Sequence, residues 1–564
     1  MSDLKPDSGP KKELSMEARL LIAFGLMGVV LLVTPYIVPK PPPGPKKADT
    51  PAEIKKVEEK AAAKPTPPTA PAGASISAAS EQDFTVETNL YKVVFTNRGA
   101  LVKSWVLKKY QDSQGRPLEL VNQAAKAAKI NHPFAIRYRD GKGAYELNAA
   151  LFAAKVSEDK LTIDFEYSGG GQYATKKFQF TRDGYLTRVE SRLTEGNSPR
   201  QHLLSWRGGF GDETVIGAAV SQHAVLYDQS KQELLAKAGA DVDGGAMIQR
   251  GNYAFAGLED TYFAAVVLPE ANSQMEVHFM NNSLPNAIDE KNEWFAGVAV
   301  GGEATNAFQV FVGPKDQDLL KSVAPRLEQI VDWGWFGVIA KPLFLALNWM
   351  NDKFIHNYGW SIVILTVVIN FLLLPLKLTS LKSMKQMSSL QPEIKAINAK
   401  YAGMSLKDPK KAQQNEEIMG LYKKHGVNPA SGCAPMLLQI PFFIAFYKVL
   451  SVAIEMRGAN WLWVTDLSRP EDLAIRVLPL AMIGSQFFLQ KMTPNTSGDP
   501  QQQRIMLMMP LFLGFMFYGQ SSGLVLYWLT SNVVGIVQQL FFNRMAQAPA
   551  PPAATAVLNV KKKK

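Results

Sequence analysis

YGWSIVILTVVINFLLLPL, residues 358–376, runs for 19 uncharged residues and stops at Lys377. About 20 apolar residues are what an α-helix needs to cross a hydrocarbon core of roughly 30 Å. This stretch nevertheless carries an amide, Asn370, and a proline, Pro375. Polar groups in a span either bond to neighbouring helices or line a polar cavity, and proline removes a backbone donor that lipid cannot replace. The choice between the two roles separates a membrane scaffold from a membrane pathway.

Further uncharged runs lie on both sides of this one. Leu20–Val38 supplies 19 uncharged residues behind Lys11, Lys12 and Arg19. A cleaved signal peptide is the rival reading, but the run exceeds a typical h-region and PKPPPGPKK (39–47) stands where a small-residue cleavage site belongs. The expectation is a cytoplasmic segment 1–17 and an uncleaved anchor 18–38. A third span is expected at 431–455 and a shorter fourth at 473–490. Ile505–Asn543 is 39 uncharged residues, too long for one crossing, and GQSSG (519–523) divides it into spans 505–520 and 521–543. With 356–376 as the second, the total is six.

Charge sets the orientation. Between Lys377 and Lys424 stand ten lysines against four acids, which places 377–430 on the cytoplasmic side. Both termini follow, with a cytoplasmic loop at 491–504, a periplasmic loop at 456–472 and a basic tail at 544–564 that ends in Lys561, Lys562, Lys563 and Lys564. Within 377–430, Met384, Met387, Leu390, Ile394, Ile397 and Tyr401 recur at helical spacing, and Asp408–Pro409 opens a second helix, so a helical hairpin is expected. Its methionines either offer a soft apolar surface or simply pack.

Residues 39–83 form a Pro/Ala/Lys-rich linker, with ten prolines between 39 and 80, a composition that cannot bury enough apolar surface to order itself. From 84 to 315 the period becomes two. Leu161, Ile163, Phe165 and Tyr167 share a face, and YKVVFTNRGALVKSWVL (91–107) alternates likewise, so an all-β sandwich is expected outside the membrane. DWGWFGVIAKPLFLALNWMNDKF (332–354) is aromatic and amphipathic, suiting the region 316–355 to the membrane interface.

Chemistry is sparse. The net charge of +11 on 564 residues is explained by topology before any ligand is needed. Cys433 is the only cysteine, the six histidines are scattered, and no HExxH, P-loop or GxSxG occurs, so neither an enzyme nor a cofactor is expected. The spans lack the internal Asp or Glu that ion-coupled transport requires. What they hold is Thr366, Asn370, Gln439, Gln486, Ser531 and Asn532, together with Gln538 and Gln539. Interhelical bonding would account for any one of these. Together they suggest a wet, uncharged cavity, and the fourth span, with 14 uncharged residues, covers only about 21 Å. A polar cavity beside a thinned bilayer lowers the cost of moving hydrophilic chain across.

NPASGCAPMLLQIPFFIAFY (428–447), DPQQQRIMLMMP (499–510) and SGLVLYWLTSN (522–532) resemble three motifs of the YidC membrane protein insertases. The order of anchor, linker, β domain, interfacial helix and five-span core with a cytoplasmic hairpin is similar to the Gram-negative form over nearly the whole chain. The resemblance implies a β-supersandwich in the periplasm and a groove open to cytoplasm and lipid. Nascent membrane proteins would slide along that groove into the bilayer, with or without the Sec translocon (SecYEG and SecDF), in the bacterial inner membrane. It implies groove roles for Thr366, Tyr527 and Trp528, with Lys377, Met384, Met387 and Leu390 at the mouth and hairpin. The basic tail would be a ribosome contact or only a topology signal.

Two departures stand out. Asn370 occupies the place, five residues before Pro375, where the family usually has a cation, and Ser521 stands where it often has proline, which predicts a looser turn. Lys377, seven residues on, shares the face of Asn370. A solute transporter or lipid flippase, which would need buried charges or inverted repeats, and a passive translocon scaffold, which would tolerate loss of the groove's polar groups, are the competing readings.

Overall fold

In this computed structural model the described residues are 75–547, except 141–143, 197, 216–217, 243–245, 271–273, 287, 289, 402–409, 428–433 and 494–499. The expected anchor, most of the linker and the basic tail lie outside them. Two compact units divide the described chain, one up to Asp332 and one from Trp333 on, with Val452–Ile454 grouped with the first.

In the first unit, antiparallel strands form sheets of four, ten and five strands among the described residues. Alternation determines the packing. Thr162–Gly169, Gln172–Phe180 and Leu186–Glu195 form a meander in which Ile163, Phe178 and Val189 lie side by side, each fully buried. Phe95, from the four-stranded sheet, meets Phe178 at 4.8 Å and Phe165 at 5.8 Å, so the two sheets close on an aromatic core. The β-rich expectation for 84–315 is met, with a short helix, Gln317–Val323, at its end rather than the start of an interfacial helix.

One core position is not apolar. Lys176 shares its strand face with Ala174, Phe178 and Phe180 and is completely buried. Its ammonium donates to the carbonyls of Gly99 (2.7 Å), Phe134 (2.8 Å) and Ala100 (3.2 Å). Gly99 and Ala100 both sit at positive φ (70° and 50°), the turn that brings these two carbonyls together. Burial pulls the Lys176 amine down to about 7.

We number the helices of the second unit α1 (Gly337–Met350), α2 (Tyr358–Leu372), α3 (Leu374–Ser389), α4 (Gln391–Lys400), α5 (Lys410–Lys424), α6 (Ala434–Val452), α7 (Val477–Met492), α8 (Pro500–Phe517) and α9 (Ser522–Gln547). In α1, Ala340, Phe344 and Leu347 are buried while Val338, Leu345 and Trp349 are exposed, the two-faced pattern expected there. His356, at φ 54°, and the Asn357 cap, which accepts from the Trp360 amide at 3.1 Å, end one helix and begin the next. The axis turns by 118° between 337–355 and α2.

The second expected span does not run unbroken to residue 376. It ends at Leu372, Leu373 forms a break, and α3 starts immediately and continues to Ser389. Pro375 is the cause: it has no N–H for the carbonyl of Phe371, and its ring crowds that turn. The hairpin therefore begins at Leu374 rather than at 377. Met387, Leu390 and Ile394 pack with Leu421, Tyr422 and Val427, so α3, α4 and α5 form a small core of their own.

Among the described residues five helices stand where five spans are expected, but only Ser522–Met545 has the length and apolarity to cross a bilayer alone. The bent pair 337–355 and α2 adds a second if counted as one span, and Gln439–Val452 and Leu507–Phe517 are shorter apolar segments. Six full-length spans are thus not displayed by the described residues. The turn between α8 and α9 is not loose: Ser522 and Gly523 donate backbone N–H bonds of 2.7 and 2.9 Å to Arg469 and Leu467. A Cβ on Gly523 would stand 3.1 Å from the Leu467 carbonyl oxygen, tighter than an ordinary contact, so the close approach favours glycine there.

Candidate functional site

The polar residues of the spans converge on α9, on two adjacent faces. The first face meets α2 and α3. Lys377 donates to Gln538 Oε1 at 2.8 Å, Gln538 Nε2 donates to the Asn370 carbonyl at 3.2 Å, and Asn370 Nδ2 donates to the Thr366 carbonyl at 2.9 Å and to Ser531 Oγ at 3.4 Å. The spacing explains the pairing: 370 to 377 and 531 to 538 are both seven residues, two helical turns, so both pairs face each other along one seam. One amide, Gln538, thus joins the cation to the backbone of Asn370.

Gly535 lies between Ser531 and Gln538. A Cβ there would stand 3.4 Å from the Lys377 nitrogen and 3.1 Å from Leu489 Cδ2, so the missing side chain leaves room for the ammonium. Thr366 is fully buried, and its hydroxyl is spent on its own helix, donating to the Ile362 carbonyl at 2.6 Å.

Asn370, Lys377, Gln439 and Tyr527 line a cavity of about 30 Å³ together with Ile369 and Phe442. That is room for roughly two waters, with enough polar partners to hold them. Tyr527 forms its aromatic wall, stacked on Phe446 with centroids 4.5 Å apart and planes 17° apart.

On the second face, Trp528 donates to Gln486 Oε1 at 3.2 Å, and Asn532 donates to Ser485 Oγ at 3.1 Å and the Met482 carbonyl at 3.3 Å. Phe443 and Phe517 cover the indole at 4.9 and 4.8 Å. These groups bond α7 to α9. Of the expected groove residues, Asn370, Gln439, Tyr527 and Ser531 come together with Lys377, while Gln486, Trp528 and Asn532 form a separate seam. The single shared cavity expected from the sequence is therefore replaced by two polar seams.

In the hairpin, Met387 and Leu390 are core residues and Met384 is half-buried outside that core. The packing reading of the methionine stripe therefore describes Met387 and Leu390, rather than an open apolar surface. Gly535 is the residue that sequence reasoning passed over, and Gln538, named among the polar residues of the spans, was not singled out for the groove. Their four-residue and seven-residue offsets from Ser531 were the available signal.

A family described as the 60Kd inner membrane protein matches residues 349–549, and another described as the YidC periplasmic domain matches residues 83–346. The membrane protein insertase YidC of Pelobacter propionicus is 33% identical over 502 residues, which cover 85% of this chain and 90% of that protein. Its counterpart in Syntrophus aciditrophicus is 32% identical over 574 residues, 94% of this chain and 100% of that protein. A crystal structure of an active YidC insertase with its first transmembrane domain resolved covers 94% of this chain and 100% of its own, at 17% identity and a TM-score of 0.35. On two family matches and relatives aligned over nearly their full length, this chain belongs to the YidC family of membrane protein insertases.

Proposed function

We propose that the chain inserts nascent membrane proteins into the inner membrane along a polar groove bounded by α2, α3, α6 and α9. The observation that carries this reading is the chain of hydrogen bonds Lys377–Gln538–Asn370–Ser531 beside a cavity walled by Tyr527. An entering span finds donors and acceptors there without an unpaired charge, so its polar flanks lose less hydration than they would in lipid. Lys377, held at the hairpin end of the seam, supplies the cation that position 370 lacks.

In the same reading the chain crosses the membrane six times, with both termini and the hairpin α3–α5 in the cytoplasm and the β unit in the periplasm. It works alone or with the Sec translocon (SecYEG and SecDF), and the lysines at 561–564 attract the ribosome through its phosphates. Purified chain in protein-free liposomes, given a small single-span substrate, tests the reading. Insertion well above the spontaneous level supports it. Insertion no faster than in empty liposomes leaves a passive scaffold, and movement of solute or lipid without insertion leaves a transporter or flippase.

A further inference from the structure

Beyond the groove, a second cavity of about 480 Å³ opens between α3 and the last turns of α9, lined by Lys382, Lys385, Gln386 and Ser389 on one side and Phe542 and Met545 on the other. Lys382 and Lys385 are three residues apart, so both cations sit on one face of α3. Neither helix carries a carboxylate of its own here: the sequence has no Asp or Glu between Asp352 and Glu393, and none after Asp499. Arg544, in the last turn of α9, adds a third cation at the same end.

The floor is of the opposite character and does not stop at the cavity. Val533, Val537, Phe541 and Met545 are exposed at four-residue intervals, which makes a continuous apolar stripe along α9. Twelve residues at 1.5 Å each give it a length of about 18 Å. Cations at one end of an apolar stripe that follows a membrane-crossing helix are complementary to a molecule with an anionic head and a hydrocarbon tail. Basic recesses between helices at the edge of a bilayer hold phosphate head groups for this reason.

We propose that this cavity binds one anionic phospholipid, its phosphate between Lys382 and Lys385 and an acyl chain along Met545, Phe541 and Val537. An acidic peptide would use the lysines but leave the stripe bare. Free phosphate would do the same.

The test is native mass spectrometry of the full chain released from detergent micelles carrying phosphatidylglycerol and phosphatidylcholine in equal amount. The expected result is one retained phosphatidylglycerol in clear preference. K382Q and K385Q each lower that preference about five-fold, and the double variant about thirty-fold, the factor that two cations near an anionic head group supply. K382R/K385R keeps it, which separates loss of charge from loss of fold. The proposal is overturned if the parent retains both lipids equally, or if K382Q/K385Q retains phosphatidylglycerol as the parent does. Glycerol phosphate that binds as tightly as the intact lipid overturns it in favour of a phosphate site. An acidic peptide that binds through the same lysines where phosphatidylglycerol does not overturns it in favour of a peptide site.

Discussion

Gln538→Leu should show whether the seam between α3 and α9 is one connected unit. The substitution removes the acceptor of Lys377 and the donor to the Asn370 carbonyl. A hydrogen bond to a charged group contributes about 1.5–3 kcal/mol, and one between neutral groups within a membrane about 0.6 kcal/mol. The adjoining cavity has room for water that can partly replace the lost acceptor, so the low end applies and the expected loss is about 2 kcal/mol. At roughly 2–4 °C per kcal/mol for a unit of this size, the unfolding midpoint of the purified chain in mild detergent falls by about 4–8 °C. Lys377→Met removes the same bond from the other side. The double variant should therefore lose about 1–2 kcal/mol less than the sum of the two singles. Measured thermal or denaturant midpoints for parent, both singles and the double give that difference directly. If the losses add within about 0.5 kcal/mol, Lys377 and Gln538 are not coupled and the seam is two unrelated contacts.

Other outcomes follow from the same structure. Asn370→Leu should cut insertion of a single-span substrate by several-fold, while Asn370→Arg is tolerated because its longer side chain reaches water; equal yields for Asn370→Leu and the parent would reduce Asn370 to a packing amide. Lys176→Met should destabilise the β unit by about 2–5 kcal/mol, as three buried carbonyls lose a donor, read from denaturant unfolding followed by Trp105 and Trp206 fluorescence. Because the folded amine lies at about 7, below its ordinary value near 10.5, the unfolded chain binds the extra proton between those limits. The stability of the parent relative to Lys176→Met should accordingly rise from pH 7 to pH 9.5, and a flat difference would mean that the carbonyls hold Lys176 charged throughout. Deleting about residues 45–300 should leave insertion in a depletion strain largely intact provided 333–355 remains; failure at normal protein levels would give the β unit a direct part in insertion.

The β unit was readable because alternation is a local signal: Ile163 and Phe165, assigned to one face from the sequence, are both buried in the core. Lys176 was not, since a lysine in QYATKKFQF reads as solvated unless its parity with Phe178 is weighed above its charge. In the helical unit, uncharged length located the helices but not their ends. Pro375 stops α2 four residues before the charge does, and α8 begins at Pro500, inside a stretch that composition assigned to a loop. The amides posed the harder problem. Asn370, Gln486, Asn532 and Gln538 look alike as polar residues in spans, and only the rotation of α9 sorts them between its two neighbours. That rotation is a property of packing, which no single window of sequence contains.

The pairing of Lys377 with Gln538 also fixes a distance. The Lys377 nitrogen lies 3.4 Å from where a Cβ on Gly535 would stand, and Gly535 is eight residues beyond Tyr527 on one unbroken helix, so the cation and the stacked ring are about 12 Å apart along the axis, a little under half the thickness of a hydrocarbon core. A helix lying alongside α9 with a carboxylate at Lys377 has the residue eight positions away level with Tyr527. The seam is in that sense a ruler. On the insertion reading proposed above, it compares the separation between a segment's charged flank and its apolar middle, for sequences that share nothing else.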